Sequence, residues 1–104
     1  MSTIVVSVRN QELRIVSYFS RIVVGSNKFV KFHFDMDPGW HNMDIVAQFE
    51  QGGAIYHVDL DENHDAYLPA GIMAGACTLM LYGVGGNTIG TTNHLRLTVE
   101  GEAE

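Results

Sequence analysis

Asp59, Asp61, Asn63 and Asp65 stand at alternate positions, the spacing with which a calcium loop of the EF-hand kind begins. Such a loop needs glycine at its sixth position and a bidentate glutamate at its twelfth, and helices on both sides. Here those positions hold His64 and Ala70. The run is therefore expected to be a solvated hairpin turn, since Asp and Asn bond their own backbone and favour turns without a metal. The histidines His33, His41, His57, His64 and His94 contain no His-x-His or His-x3-His pair. Without such spacing they give no sequence case for a metal centre, and no cofactor is expected.

Nucleophilic catalysis is equally unsupported. No Gly-x-Ser-x-Gly elbow occurs, and Cys77 enters an apolar run after Gly75-Ala76, as a buried structural thiol does. Gly83-Val84-Gly85-Gly86 is not followed by Lys-Ser or Lys-Thr, so it is expected to be a hairpin tip rather than a phosphate loop. No general acid, base and nucleophile can be assembled, and the chain is not expected to be an enzyme. The aromatic residues leave one binding chemistry open: Trp40 with Tyr56, Tyr67 and Tyr82 as a stacking platform for sugar. Against it stands Trp40 as a large side chain folded back from a loop to close one end of a core.

The elements that must position these residues are short strands. Ile4 to Val8 is expected to pair with Leu13 to Phe19 through Asn10-Gln11; Ile22 to Val24 is β-branched, and Gly25-Ser26-Asn27 is a turn. From Phe29 to Asp35, Val30, Phe32 and Phe34 alternate with Lys31, His33 and Asp35. Pro38 and Gly39 impose a loop as far as about Asn42. Ile45, Ala47 and Phe49 form the next apolar face. Gln51-Gly52-Gly53 then turns the chain into a strand with Ala54, Tyr56, Val58 and Leu60 inside and Ile55, His57 and Asp59 outside. A brief strand near Ala66 to Leu68 follows, then one helical turn within Pro69 to Gly75. Thr78 to Val84 is apolar on both faces, as in a central strand or one that meets a neighbouring subunit. Leu95, Leu97 and Val99 point inward from the last strand, while His94, Arg96, Thr98 and Glu100 point out.

Seven to nine short strands without a long amphipathic helix predict an all-β fold, an antiparallel β-sandwich of Ig-like or jelly-roll-like form. At 104 residues there is room for one core, so residues 1–100 are read as one domain and 101–104 as a disordered acidic tail. Glu100, Glu102 and Glu104 account for three units of the net charge of −6, and the six basic residues are scattered. A nucleic-acid partner is not expected, because a phosphate-tracking surface needs clustered Lys and Arg. No apolar run approaches the roughly 18 residues of a membrane span, and Met1 to Val6 lacks the basic region of a secretory signal. One cysteine excludes an intrachain disulfide and suits a reducing compartment.

Phe32-His33-Phe34-Asp35, Trp40, Ile45-Val46-Ala47-Gln48-Phe49, Gly52-Gly53, Tyr56-His57-Val58, Leu60-Asp61-Glu62-Asn63 and Leu68-Pro69, taken in order, carry a resemblance. Continued through Gly71-Ile72-Met73, Leu79 to Val84 and Thr91-Thr92, the pattern resembles a small β-sandwich module of bacteriophage tails. Modules of this kind form the N-terminal parts of baseplate and tail-fibre proteins of siphophages and Gram-positive prophages. The similarity covers roughly residues 29 to 99; the segment before Phe29 matches less well, and family members often continue into a longer fibre.

The resemblance implies a non-enzymatic virion component, made in the host cytoplasm and then incorporated into the particle, with other virion proteins as partners. It also implies a homo-oligomer, in the simplest case a trimer, because virion parts repeat around cyclic axes. The surfaces expected to serve are the outer side of Thr78, Met80, Tyr82 and Val84 or an exposed strand edge.

Overall fold

The computed structural model describes residues 2–17, 22–23, 30–41, 43–69, 71–85 and 88–100. In chain order the strands are β1 (Ser2–Arg9), β2 (Glu12–Ser17), β3 (Ile22–Val23), β4 (Val30–Met36), β5 (Asp44–Gln51) and β6 (Ala54–Asp59). They continue with β7 (Asp65–Tyr67), β8 (Gly75–Gly85), β9 (Thr88–Thr91) and β10 (Leu95–Glu100). Ten strands are thus described, against the seven to nine expected. Phe19, Val24, the Gly25-Ser26-Asn27 turn, Phe29, Asn42, Ala70, Gly86 and the acidic tail lie outside the described residues.

The strands form two sheets that pack as a β-sandwich, one in the order β2-β1-β4-β7 and one in the order β3-β10-β8-β5-β6, with β9 also paired to β8. Most pairs are antiparallel, but β1 with β4 and β3 with β10 run parallel. In the first parallel pair the register sets Ile4 beside Phe32, Val6 beside Phe34 and Val8 beside Met36. Every one of these side chains is buried, so the pairing aligns two apolar faces without a slip.

Strand alternation makes the core. Phe32 and Phe34 descend from one sheet and Phe49, Leu79 and Leu81 from the other, all essentially inaccessible to solvent. The Phe32 and Phe49 rings meet between the sheets with centroids 5.5 Å apart and planes tilted by 56°. Burying each such side chain contributes roughly 2 to 3 kcal/mol relative to leaving it in water.

The turns follow local chemistry. Asn10 takes φ 55° in the β1–β2 hairpin, and Gly52 and Gly53 take φ 57° and 86° in the β5–β6 hairpin. Positive φ at both central residues suits a type I′ turn, which glycine enters without a Cβ penalty. The helical turn expected within Pro69 to Gly75 is corrected: among the described residues there, Ile72 N–H donates to the Pro69 carbonyl at 3.2 Å and closes a turn. A 3-10 turn forms instead at Pro38–Trp40, where proline at the first position has no amide hydrogen to leave unpaired.

β9 and β10 together line one side of β8, broken at Thr92. Thr92 N–H donates to Leu81 O at 3.0 Å, and Leu81 N–H donates to Thr92 Oγ1 at 2.9 Å. Leu79 pairs with Leu95, so one extra residue is inserted opposite the Leu79 to Leu81 stretch. This bulge lets β10 follow the first half of β8 and β9 the second.

Candidate functional site

Trp40 is 4% exposed and belongs to the core. Its ring lies over two glycines: a Cβ added to Gly83 or Gly90 would sit 3.2 Å or 3.1 Å from the indole. Its Nε1–H donates to the Asn10 carbonyl at 2.6 Å. Trp40 therefore closes the core, and its place in a sugar platform is corrected: no face of the indole is open for stacking.

The tyrosines do not converge either. Tyr56 is half-buried against the core, with its hydroxyl donating to the Gly71 carbonyl at 3.3 Å. Tyr67 stands opposite Lys31 on the four-stranded sheet, and Tyr82 stands opposite Val46 on the six-stranded sheet. Residues of neighbouring parity in both strands are buried between the sheets, so Tyr67 and Tyr82 face away from each other. The platform made of Trp40, Tyr56, Tyr67 and Tyr82 is not assembled.

Thr78, Met80, Tyr82 and Val84 do share one face, the outer side of β8, because Cys77, Leu79, Leu81 and Gly83 take the inner side. Thr78, Met80 and Tyr82 are half-buried by neighbours in their own sheet, while Val84 is 48% exposed. Register extends this face on both sides. Val46 is opposite Tyr82, Gln48 opposite Met80 and Ile89 opposite Val84. Ile89, 73% exposed, is not marked by alternation, because the run Gly83-Val84-Gly85-Gly86 interrupts the apolar pattern ahead of it. The His57 ring meets Tyr82 edge-on at 6.0 Å, and His57 Nε2 is 3.1 Å from Gln48 Oε1. These contacts hold the phenol in one orientation.

Acidic side chains border the apolar row. Asp44 is opposite Val84, and Asp59 is opposite Val46. Both also line a cleft of about 650 Å3 completed by His41, Asp61, Glu62 and His64, among others. The His41 and His64 rings stack there with centroids 6.0 Å apart. The sequence held one signal for this meeting. In an antiparallel β5–β6 pair, the segment before Asp44 and the segment after Asp59 must lie at the same end.

The Asp61 to Asp65 turn is organised from within, but the expected hairpin is corrected: β6 and β7 belong to different sheets, so this turn carries the chain from one sheet to the other. Asp61 Oδ1 accepts from the Asn63 amide at 2.9 Å and the Asp65 amide at 3.0 Å, and His64 takes φ 63°. Asp65 turns the other way, with Oδ1 2.6 Å from His33 Nδ1 and Oδ2 3.6 Å from Lys31 Nζ. Among the described residues no group of three or more His, Cys, Asp or Glu side chains is arranged to hold a metal ion. Cys77 is buried, and burial pushes its thiol above its ordinary value. A protonated, enclosed thiol is a poor nucleophile.

This face offers an aromatic ring, exposed aliphatic groups and a carboxylate border, the elements of a contact surface. No family model, curated protein or solved structure matches the chain.

Proposed function

We propose that this chain is a non-enzymatic structural module of a phage or prophage virion, a baseplate, tail-fibre or decoration component that works through protein contacts. The observation that carries the reading is the outer side of β8, where Met80, Tyr82 and Val84 present apolar surface on a rigid sandwich. The resemblance of residues 29 to 99 to phage-tail modules supplies the setting.

Copies of the chain associate around a cyclic axis in this reading, through an exposed strand edge such as β2 or β6, each at one end of its sheet. Edge strands offer unpaired backbone groups to a neighbour. The broad face of β8 then remains for other virion proteins. The test is to locate the chain in purified particles by mass spectrometry and labelled electron microscopy. Its presence at a fixed copy number at one position supports the proposal, and its absence from particles refutes it. Light scattering adds an independent check: only monomer at high concentration removes the oligomer from the proposal.

A further inference from the structure

We infer that the outer face of the six-stranded sheet docks a cationic, apolar segment of a different protein, one in which aliphatic side chains alternate with lysine or arginine. The inference rests on the structural reading above and names the chemistry of the partner.

Two features adjoin on this face. The first is apolar: Met80, Tyr82, Val84 and Ile89, with Tyr82 held edge-on by His57. A rigid aromatic ring with exposed aliphatic neighbours is what anchors a protein contact, because little side-chain freedom is lost on binding. The second is acidic. Asp44 and Asp59 border the apolar row and open into the cleft that also holds Asp61 and Glu62. Among the described residues, Arg9, Arg14 and Lys31 belong to the other sheet, and Arg96, on this face, lies opposite Thr78 at the end of β8 away from Val84.

This pattern selects the occupant. A second copy set face to face with its two-fold axis near Val84 would bring Asp44 and Asp59 close to their own equivalents, and like charges across an interface oppose association. A segment carrying lysine or arginine beside apolar residues meets both features at once: its aliphatic groups cover Val84 and Ile89 while its charged heads enter the carboxylate-lined cleft. Complementary charge also speeds encounter and makes binding salt-dependent.

The experiment uses the full chain and three labelled synthetic peptides followed by fluorescence anisotropy at low and high salt. One alternates lysine with valine, one alternates lysine with glycine at the same charge, and one alternates glutamate with valine. The lysine–valine peptide should bind at least about tenfold tighter than lysine–glycine, the glutamate peptide should not bind, and high salt should weaken the complex. The double variant Asp44→Lys/Asp59→Lys and the variant Val84→Ser should each lose about tenfold or more, with circular dichroism showing that they remain folded. All of these positions are exposed. Equal binding of the two lysine peptides, or unchanged affinity in the folded variants, overturns the inference. So does a dimer that Val84→Lys dissolves, since a second copy would then own the face. Absence of the chain from purified particles would instead refute the virion reading and leave the peptide result standing.

Discussion

The Trp40 indole N–H donates to the Asn10 carbonyl oxygen at 2.6 Å, joining the β1–β2 turn to the loop between β4 and β5. Neighbouring bonds reinforce the junction. The Asn10 amide donates to Asp37 Oδ2 at 2.9 Å, and the Asp37 amide donates to the Val8 carbonyl at 2.9 Å. The end of the sandwich nearest the acidic cleft is thus tied by side chains and backbone together.

Trp40→Phe keeps most of the ring but removes the donor, so it should cost about 1 to 2 kcal/mol. Trp40→Ala should cost about 3 to 5 kcal/mol by opening a cavity. Urea unfolding followed by far-ultraviolet circular dichroism measures both. If the alanine variant were as stable as the parent, Trp40 would not be closing the core.

Gly90 has no room for a side chain, since a Cβ there would approach Trp40 Cη2 to 3.1 Å. Gly90→Ala should therefore displace the indole and destabilise the fold by about 1 to 3 kcal/mol. Trp40 is the single tryptophan, so its emission reports the displacement directly. A red shift in the folded variant is expected.

Gln51 imitates a backbone pair. Its Oε1 accepts from the Met73 amide at 2.7 Å, and its Nε2 donates to the Met73 carbonyl at 2.7 Å. Gln51→Ala should release the segment between Pro69 and Gly75, raising hydrogen exchange at the Met73 amide by about tenfold while the strands stay protected. Gln51→Glu should do the same, because a carboxylate cannot donate to the carbonyl.

Cys77 has a thiol raised above its ordinary value of 9.0, chiefly by burial, with a smaller opposing effect from the Glu50 backbone hydrogen bond. In the unfolded chain the thiol ionises near that ordinary value, whereas the folded chain still holds the proton there. The stability this contributes is complete below pH 9.0 and is lost as pH rises above it. Stability of the parent should fall more steeply above pH 9.0 than that of Cys77→Ala. A thiol reagent at pH 7 should label the native protein far more slowly than the urea-unfolded one. Equal labelling rates would contradict the burial.

The faces were legible because alternation is local. Val30, Phe32 and Phe34 against Lys31, His33 and Asp35 fix which side of β4 is buried, whatever the partner strand. Gly52-Gly53 likewise specifies its hairpin from within. The Trp40 position was legible only as two alternatives, since sequence does not show which loop meets it.

Tertiary structure alone decided the rest. Parallel pairing of β1 with β4 depends on an alignment of two apolar faces that no local pattern encodes. The division of Tyr67 and Tyr82 between opposite sheets likewise follows from strand order, and it dissolved the sugar platform. His41 and His64 meet because the antiparallel β5–β6 pair brings distant loops to one end. Sequence by itself determined an all-β chain with an apolar inside, because side-chain direction along a strand is set by its own backbone. The apolar row beside an acidic cleft was set by the folded chain, because charge and exposed surface from β5, β6, β8 and β9 become neighbours only across hydrogen-bonded strands.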